Sequence, residues 1–201
     1  MTFGTPVMSA QALVSAFHAA YSIPLPQSGS ELEKSGRKAS TNEINRVFRA
    51  LGLGLGLKVR HKLPPRLKDE TREIKRSMRE HPEREFLYDV DWMDDDGRLA
   101  LAGESELSTF QHTVMHDFSK LLHAKCPIKF LIYTDFKKDV RPAAKTELIK
   151  YGRNAPGEEY ILINLCNWRT RFLESTVFSF YERNGVVALR EVSLPHLKWG
   201  S

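Results

Sequence analysis

The stretch Glu85–Leu122, EFLYDVDWMDDDGRLALAGESELSTFQHTVMHDFSKLL, decides the fold. Side chains alternate across a strand. A strand over Phe86–Trp92 therefore puts Phe86, Tyr88, Val90 and Trp92 on one face and Leu87, Asp89 and Asp91 on the other. Asp94-Asp95-Asp96-Gly97 reads as a turn. A second strand, about Arg98–Leu107, then carries Leu99, Leu101, Gly103 and Ser105 on one side and Ala100, Ala102, Glu104 and Glu106 on the other. Such a hairpin can gather Asp89, Asp91, Glu104 and Glu106. Carboxylates collected in or beside a core repel one another and resist desolvation, and a hard divalent cation relieves both problems. The competing reading is a one-sided sheet whose acids face water.

A helix over Thr109–Ala124 follows, with Val114, Phe118, Leu121 and Leu122 as its apolar face. Asp117 and Lys120 are three apart on a neighbouring face, where they can pair. A lysine entering a carboxylate cluster can orient a water or steady a phosphate charge; a solvated helix lysine is the commoner fate. His112 and His116 are four apart, a spacing that can bind zinc, but no glutamate follows the first histidine as in the zinc-protease motif. Surface histidines are the expectation.

The runs Tyr88-Asp-Val-Asp-Trp92, Ala102-Gly-Glu-Ser-Glu106 and Asp117-Phe-Ser-Lys-Leu-Leu122, in that order, resemble the PD-(D/E)xK nuclease superfamily. The resemblance covers roughly Leu55–Tyr133. It implies a restriction-endonuclease-like α/β (mixed α+β) fold, with a central mixed sheet flanked by helices. Asp89 matches the motif aspartate and Glu104 the motif acid. Glu106 stands where the motif lysine is usual, and Lys120 on the next helix is placed as a migrated lysine. The implied cofactor is Mg²⁺ or Mn²⁺, held by Asp89, Glu104, the Ser105 backbone carbonyl and Glu106. Asp89, Glu104, Glu106 and Lys120 form the implied catalytic set, with Lys120 orienting the nucleophile or stabilising the pentacovalent charge. Asp117 would position Lys120, and Asp91 would be an auxiliary ligand. Glu43, on the first core helix, matches an acid that sometimes joins the metal site, although capping is its simpler role. The implied activity is phosphodiester hydrolysis, with DNA as the expected polymer. The alternative, raised by the missing lysine at position 106, is a catalytically inactive module of the same fold that binds nucleic acid or a protein partner.

The remaining sequence frames this core. A chain of 201 residues suits a single domain. We divide it into an N-terminal helical extension and loop (1–40), the nuclease-like core (41–135), and a C-terminal helix and β-hairpin completing the sheet (136–201). The net charge of +5 permits a polyanionic partner without demanding one. Two cysteines, Cys126 and Cys166, suit buried thiols in a reduced, cytoplasmic protein. No apolar run reaches membrane-spanning length, so no membrane partner is expected. A homodimer would suit cleavage of both strands of a duplex.

Helices are expected over Ser9–Ala20, from Thr41 through Leu51, and over Pro142–Tyr151, with a polar loop or a frayed helix start over Pro26–Ser40. Leu51-Gly-Leu-Gly-Leu-Gly-Leu57 lacks the Lys-Ser/Thr of a phosphate loop; it fits a helix C-terminus running into a strand at Leu55–His61, with glycines allowing close packing. Lys58–Arg84 is the most basic region, and Lys58, Arg60, Lys62, Lys75 and Arg76 are the candidate nucleic-acid contacts. Interleaved acids make a solvated, self-paired helix the competing reading. Further strands are expected at Ile128–Tyr133 and Tyr160–Leu165, then a hairpin of Thr176–Tyr181 and Val186–Val192 around Asn184-Gly185, whose strands alternate as a sheet with one buried face would.

Overall fold

A computed structural model describes residues 8–21, 30–61, 88–107, 110–134, 139–165, 172–195 and 197–198. The elements are α1 (Ala10–Ala20), α2 (Ser30–Gly54), β1 (Lys58–His61), β2 (Val90–Met93), β3 (Leu99–Glu106), α3 (Gln111–Leu122), β4 (Ile128–Tyr133), α4 (Arg141–Tyr151), β5 (Glu159–Asn164), β6 (Phe172–Arg183), β7 (Val186–Ser193) and β8 (Leu197–Lys198). The expected mixed α/β architecture is present: one sheet in the order β1-β2-β3-β4-β5-β6-β7, with β8 paired to the start of β6. The centre, β3-β4-β5, is parallel, and both flanks are antiparallel. Parallel neighbours need crossover connections, and α3 and α4 supply them.

Each face of the sheet has its own core. Leu13, Phe17, Ile44, Val47 and Phe48 of α1 and α2 pack on Val90, Trp92, Leu101, Phe130 and Ile161. Val114, Phe118, Leu121 and Leu148 of α3 and α4 pack on Ala102, Leu131, Tyr133, Tyr160 and Phe178. The first core is tied by aromatic contact. The Phe48 and Phe130 rings stack at 3.9 Å, and Trp92 Nε1 donates to the Phe48 carbonyl at 3.1 Å. Gly103 makes the stack possible, because a Cβ there would lie 1.9 Å from the Phe130 ring.

Local signals explain most boundaries. Ser9 caps α1 by accepting from the Ala12 N–H. The glycine-leucine run is a helix terminus, as expected. Gly56, at φ 74°, donates to the Leu53 carbonyl while Leu57 donates to Gly52, the paired bonds of a Schellman motif. A Cβ on Gly52 would meet Val59 at 2.5 Å, so this glycine lets α2 close on β1. Asn184 and Gly185 both take positive φ, as a type I′ hairpin requires.

Four expectations are corrected. Residues 30–40 belong to α2 rather than to a loop; Glu31, Leu32, Glu33 and Lys34 are good helix formers whose propensity outweighs the neighbouring serines and glycine. Strand β2 begins at Val90, and the chain bends at Tyr88 and Asp89. A register shift at Trp92/Met93 pairs Met93 with Leu99, so Leu99 packs with the α3–α4 core and Ala100 with the other, the reverse of simple alternation. Strand β7 has no buried face, being the sheet edge.

The Gly103 contact yields a stability test. Gly103→Ala should lower the urea midpoint by the equivalent of about 2 kcal/mol or more, since the ring must leave its stack. Gly54→Ala, with nothing within 4 Å of its Cβ position, should leave the midpoint unchanged or raised. Equal midpoints for the two variants would contradict the packing account.

Candidate functional site

The site grows from the β2–β3 register. Val90 pairs with Gly103 and Asp91 with Ala102, and Asp89, in the bend just before the strand, comes beside Glu104 and Ser105. Asp89 Oδ2 accepts from the Ser105 backbone N–H at 3.1 Å and from its hydroxyl at 3.3 Å. Glu104 stands in the middle of β3, 1 % exposed. From α3, the Lys120 ammonium reaches it: Nζ lies 3.3 Å from Glu104 Oε1 and 2.6 Å from Asp117 Oδ1. His116 Nδ1 is 3.5 Å from the same Asp117 oxygen. The three-residue spacing of Asp117 and Lys120 thus does what it predicts.

The electrostatics follow from burial. Desolvation, with Asp89 beside it, pushes the Glu104 carboxyl up to about 8, while Lys120 opposes that shift. Burial pulls the Lys120 ammonium down, but its hydrogen bond to Asp117 and the charge of Glu104 more than reverse this, so its pKa is raised. The result is a carboxylate–lysine–carboxylate bridge between strand and helix.

Asp89, Glu104, Lys120 and Asp117 therefore come together. The other candidates are placed differently. Glu106, partly exposed at the end of β3, lies two residues beyond Glu104 and opposite Tyr133 in the parallel pairing. Asp91, expected as an auxiliary ligand, is instead held by Arg60, whose guanidinium donates to both carboxylate oxygens at 2.7 and 2.8 Å. Arg60 is correspondingly committed to an internal pair rather than presented as a phosphate contact. Lys58 lies against the β2–β3 turn, 3.7 Å from Asp95, with its side chain 60 % exposed. Glu43 sits on α2, in the layer over the opposite sheet face, and pairs with Arg46. Lys62, Lys75 and Arg76 lie outside the described residues. His112 and His116 are both exposed, as expected of surface histidines.

Two buried residues on this face were not anticipated. Tyr88, in phase with Val90 and Trp92, packs instead in the α3–α4 core. Burial, with Cys126, Glu104 and Asp91 nearby, raises its phenol to about 12. Lys129, fully buried in β4, lies 2.7 Å from Glu158 and 4.4 Å from the Tyr160 ring. Only its interruption of an apolar strand, IKFLIY, signals it.

Among the described residues, no three His, Cys, Asp or Glu side chains converge to hold a metal by themselves. The oxygen donors present fit a hard cation of the magnesium type, which binds through one or two carboxylates and keeps several waters. The strong bias of Glu104 towards protonation is relieved by a cation. Fold and site thus define a mixed α/β protein with an acidic, lysine-bridged centre on the pivot strand of its sheet. Comparison with protein-family models, curated proteins and solved structures finds no match to this chain.

The raised Glu104 carboxyl sets a pH dependence. Between its ordinary value near 4.5 and its folded value near 8, the folded protein holds a proton that the unfolded chain has released. Stability from this group is therefore present at low pH and lost as pH rises through 8. In chelator, Glu104→Gln should flatten that decline and exceed the wild type in stability at pH 8.5, by on the order of 2 kcal/mol. Denaturant melts at pH 6 and 8.5 check this; parallel declines in both proteins would contradict it.

Proposed function

We propose that this chain is a divalent-cation-dependent nuclease-like protein that hydrolyses phosphodiester bonds in DNA. The observation that carries this reading is the buried Glu104 carboxylate on β3, with Asp89 bonded to the adjacent Ser105 and the Lys120 ammonium 3.3 Å away. Acid, acid and lysine, on a strand pair and the following helix, are the groups phosphodiester hydrolysis calls for.

Asp89 and Glu104 would hold Mg²⁺ or Mn²⁺, with the Ser105 carbonyl as a further oxygen donor on the same strand. The bound cation supplies acidity to a water and positive charge to the scissile phosphate. Ser105 fixes the Asp89 carboxylate through its N–H and hydroxyl. Lys120 would orient the attacking water or carry charge at the phosphate, and Asp117 holds the ammonium in place from the preceding helical turn. The chain's positive charge suits a DNA partner, and a homodimer would bring two centres to the two strands.

A second reading keeps the fold and removes the chemistry: a module that binds nucleic acid or a protein partner. The observation favouring it is Glu106, an acid where a lysine is usual, together with the ion-paired state of Lys120.

A cleavage assay with Mg²⁺ or Mn²⁺ on plasmid, linear duplex, single-stranded DNA and RNA separates the two. The nuclease reading expects metal-dependent cutting that falls at least about 100-fold in Asp89→Ala and in Glu104→Ala, both remaining folded. Undiminished cutting in both variants sinks the site assignment. A wild type that binds these polymers without cutting any of them favours the second reading.

A further inference from the structure

We propose that Lys120 is the resident cation of the metal-free centre, and that a divalent ion enters by displacing its ammonium from Glu104 and leaving it on Asp117. This rests on reading the centre as a cation site and adds how that site is kept without its ion. The two contacts of Nζ are unequal. The 2.6 Å contact to Asp117 is that of a short charge-assisted hydrogen bond, whereas 3.3 Å to Glu104 is long for one.

The difference has a structural cause. Asp117 and Lys120 are neighbours on one face of α3, so their contact is local to the helix. The contact to Glu104 spans helix to strand and depends on the reach of a flexible four-carbon stem. Glu104 cannot follow the ammonium, because its strand is fixed there by pairing with Leu131 of β4 and, one residue earlier, with Val90 of β2. The lysine can withdraw, since its side chain is 31 % exposed while that of Glu104 is 1 %. One end of the bridge is therefore fixed to the helix and the other is releasable. A buried carboxylate without a counter-charge is costly, and Lys120 meets that need when no ion is bound. Once an ion holds Glu104, the lysine remains on Asp117, two steps from the carboxylates, and free to meet a phosphate.

Removal of the lysine charge should then strengthen cation binding. A singly charged proton gains less than a divalent ion when Lys120 goes, so competition from protonation of Glu104 does not reverse the sign. The test is calorimetric titration of the folded full chain with Mn²⁺ alone, at one pH and ionic strength, for wild type, Lys120→Met and Lys120→Gln. The glutamine variant keeps a hydrogen-bond donor between the two carboxylates and guards against a folding defect in the methionine variant. The expected result is Mn²⁺ binding at least tenfold tighter in both variants, with a correspondingly larger rise in melting temperature on adding Mn²⁺. Equal or weaker binding in the variants, alongside measurable binding by the wild type, overturns the placeholder role while leaving the cation site intact. No binding by any of the three proteins overturns the cation reading and this inference with it.

Discussion

Strand β3 is paired with β4 and, as far as Gly103, with β2, is covered on both faces, and carries a buried carboxylate at the next residue, Glu104. That constraint organises the molecule. β3 is the pivot at which an antiparallel hairpin becomes a parallel sheet. A parallel sheet is buried on both faces by its crossover helices, so no residue at mid-strand can look into water. The charged group that meets Glu104 there comes from α3, the helix that the topology itself requires. The site is thus a consequence of the crossover: the same connection that covers β3 delivers Lys120 and Asp117 to it.

The two faces of the sheet divide the work. Under α1 and α2 the contacts are aromatic and aliphatic, with the Phe48–Phe130 stack resting on the absent side chain of Gly103. On the face of α3 and α4, Arg60–Asp91, Lys120–Glu104 and Lys129–Glu158 are charged pairs with one or both partners buried. Such pairs contribute little net stability relative to apolar replacements and are costly to break singly. Both faces supply apolar cohesion, and the α3–α4 face in addition holds its charged residues in fixed positions. Beside the further pair, Lys129–Glu158, the Tyr160 hydroxyl donates to Asn154 Oδ1 at 2.8 Å, and Asn154 Nδ2 donates to the Leu148 carbonyl at 3.0 Å, anchoring the end of α4.

Much of this was legible in the residues. The order of elements, the Asn184-Gly185 turn, the crossover helix, the nearness of Asp89 to Glu104 and the pairing of Asp117 with Lys120 follow from alternation and helical spacing, whereas the placing of Lys120 at Glu104 rests on the resemblance. What was not legible depends on geometry that alternation cannot carry. Asp91 shares the parity of Asp89, yet the neighbouring strand β1 offers it Arg60, and a bidentate guanidinium settles its role. Tyr88 shares the parity of Val90, but the chain bends before the strand starts and turns the ring to the other side. The bulge at Trp92/Met93 reverses Leu99 and Ala100 for the same reason: one irregular residue breaks a period of two. Lys129 is hidden because a single charged letter in an apolar strand says nothing about the partner, Glu158, that comes from a distant turn.

The central claim is that Asp89 and Glu104 together hold a hard divalent cation. Amide NMR spectra of the full chain during addition of substoichiometric Mn²⁺ test it most directly, because the paramagnetic ion broadens signals by proximity and needs no substrate. The account predicts selective broadening at Asp89 and at Gly103–Glu106, with residues of the β6–β7 hairpin unaffected, and loss of the effect in Glu104→Gln. Broadening centred on His112 and His116, or uniform weak broadening across the surface, would contradict it.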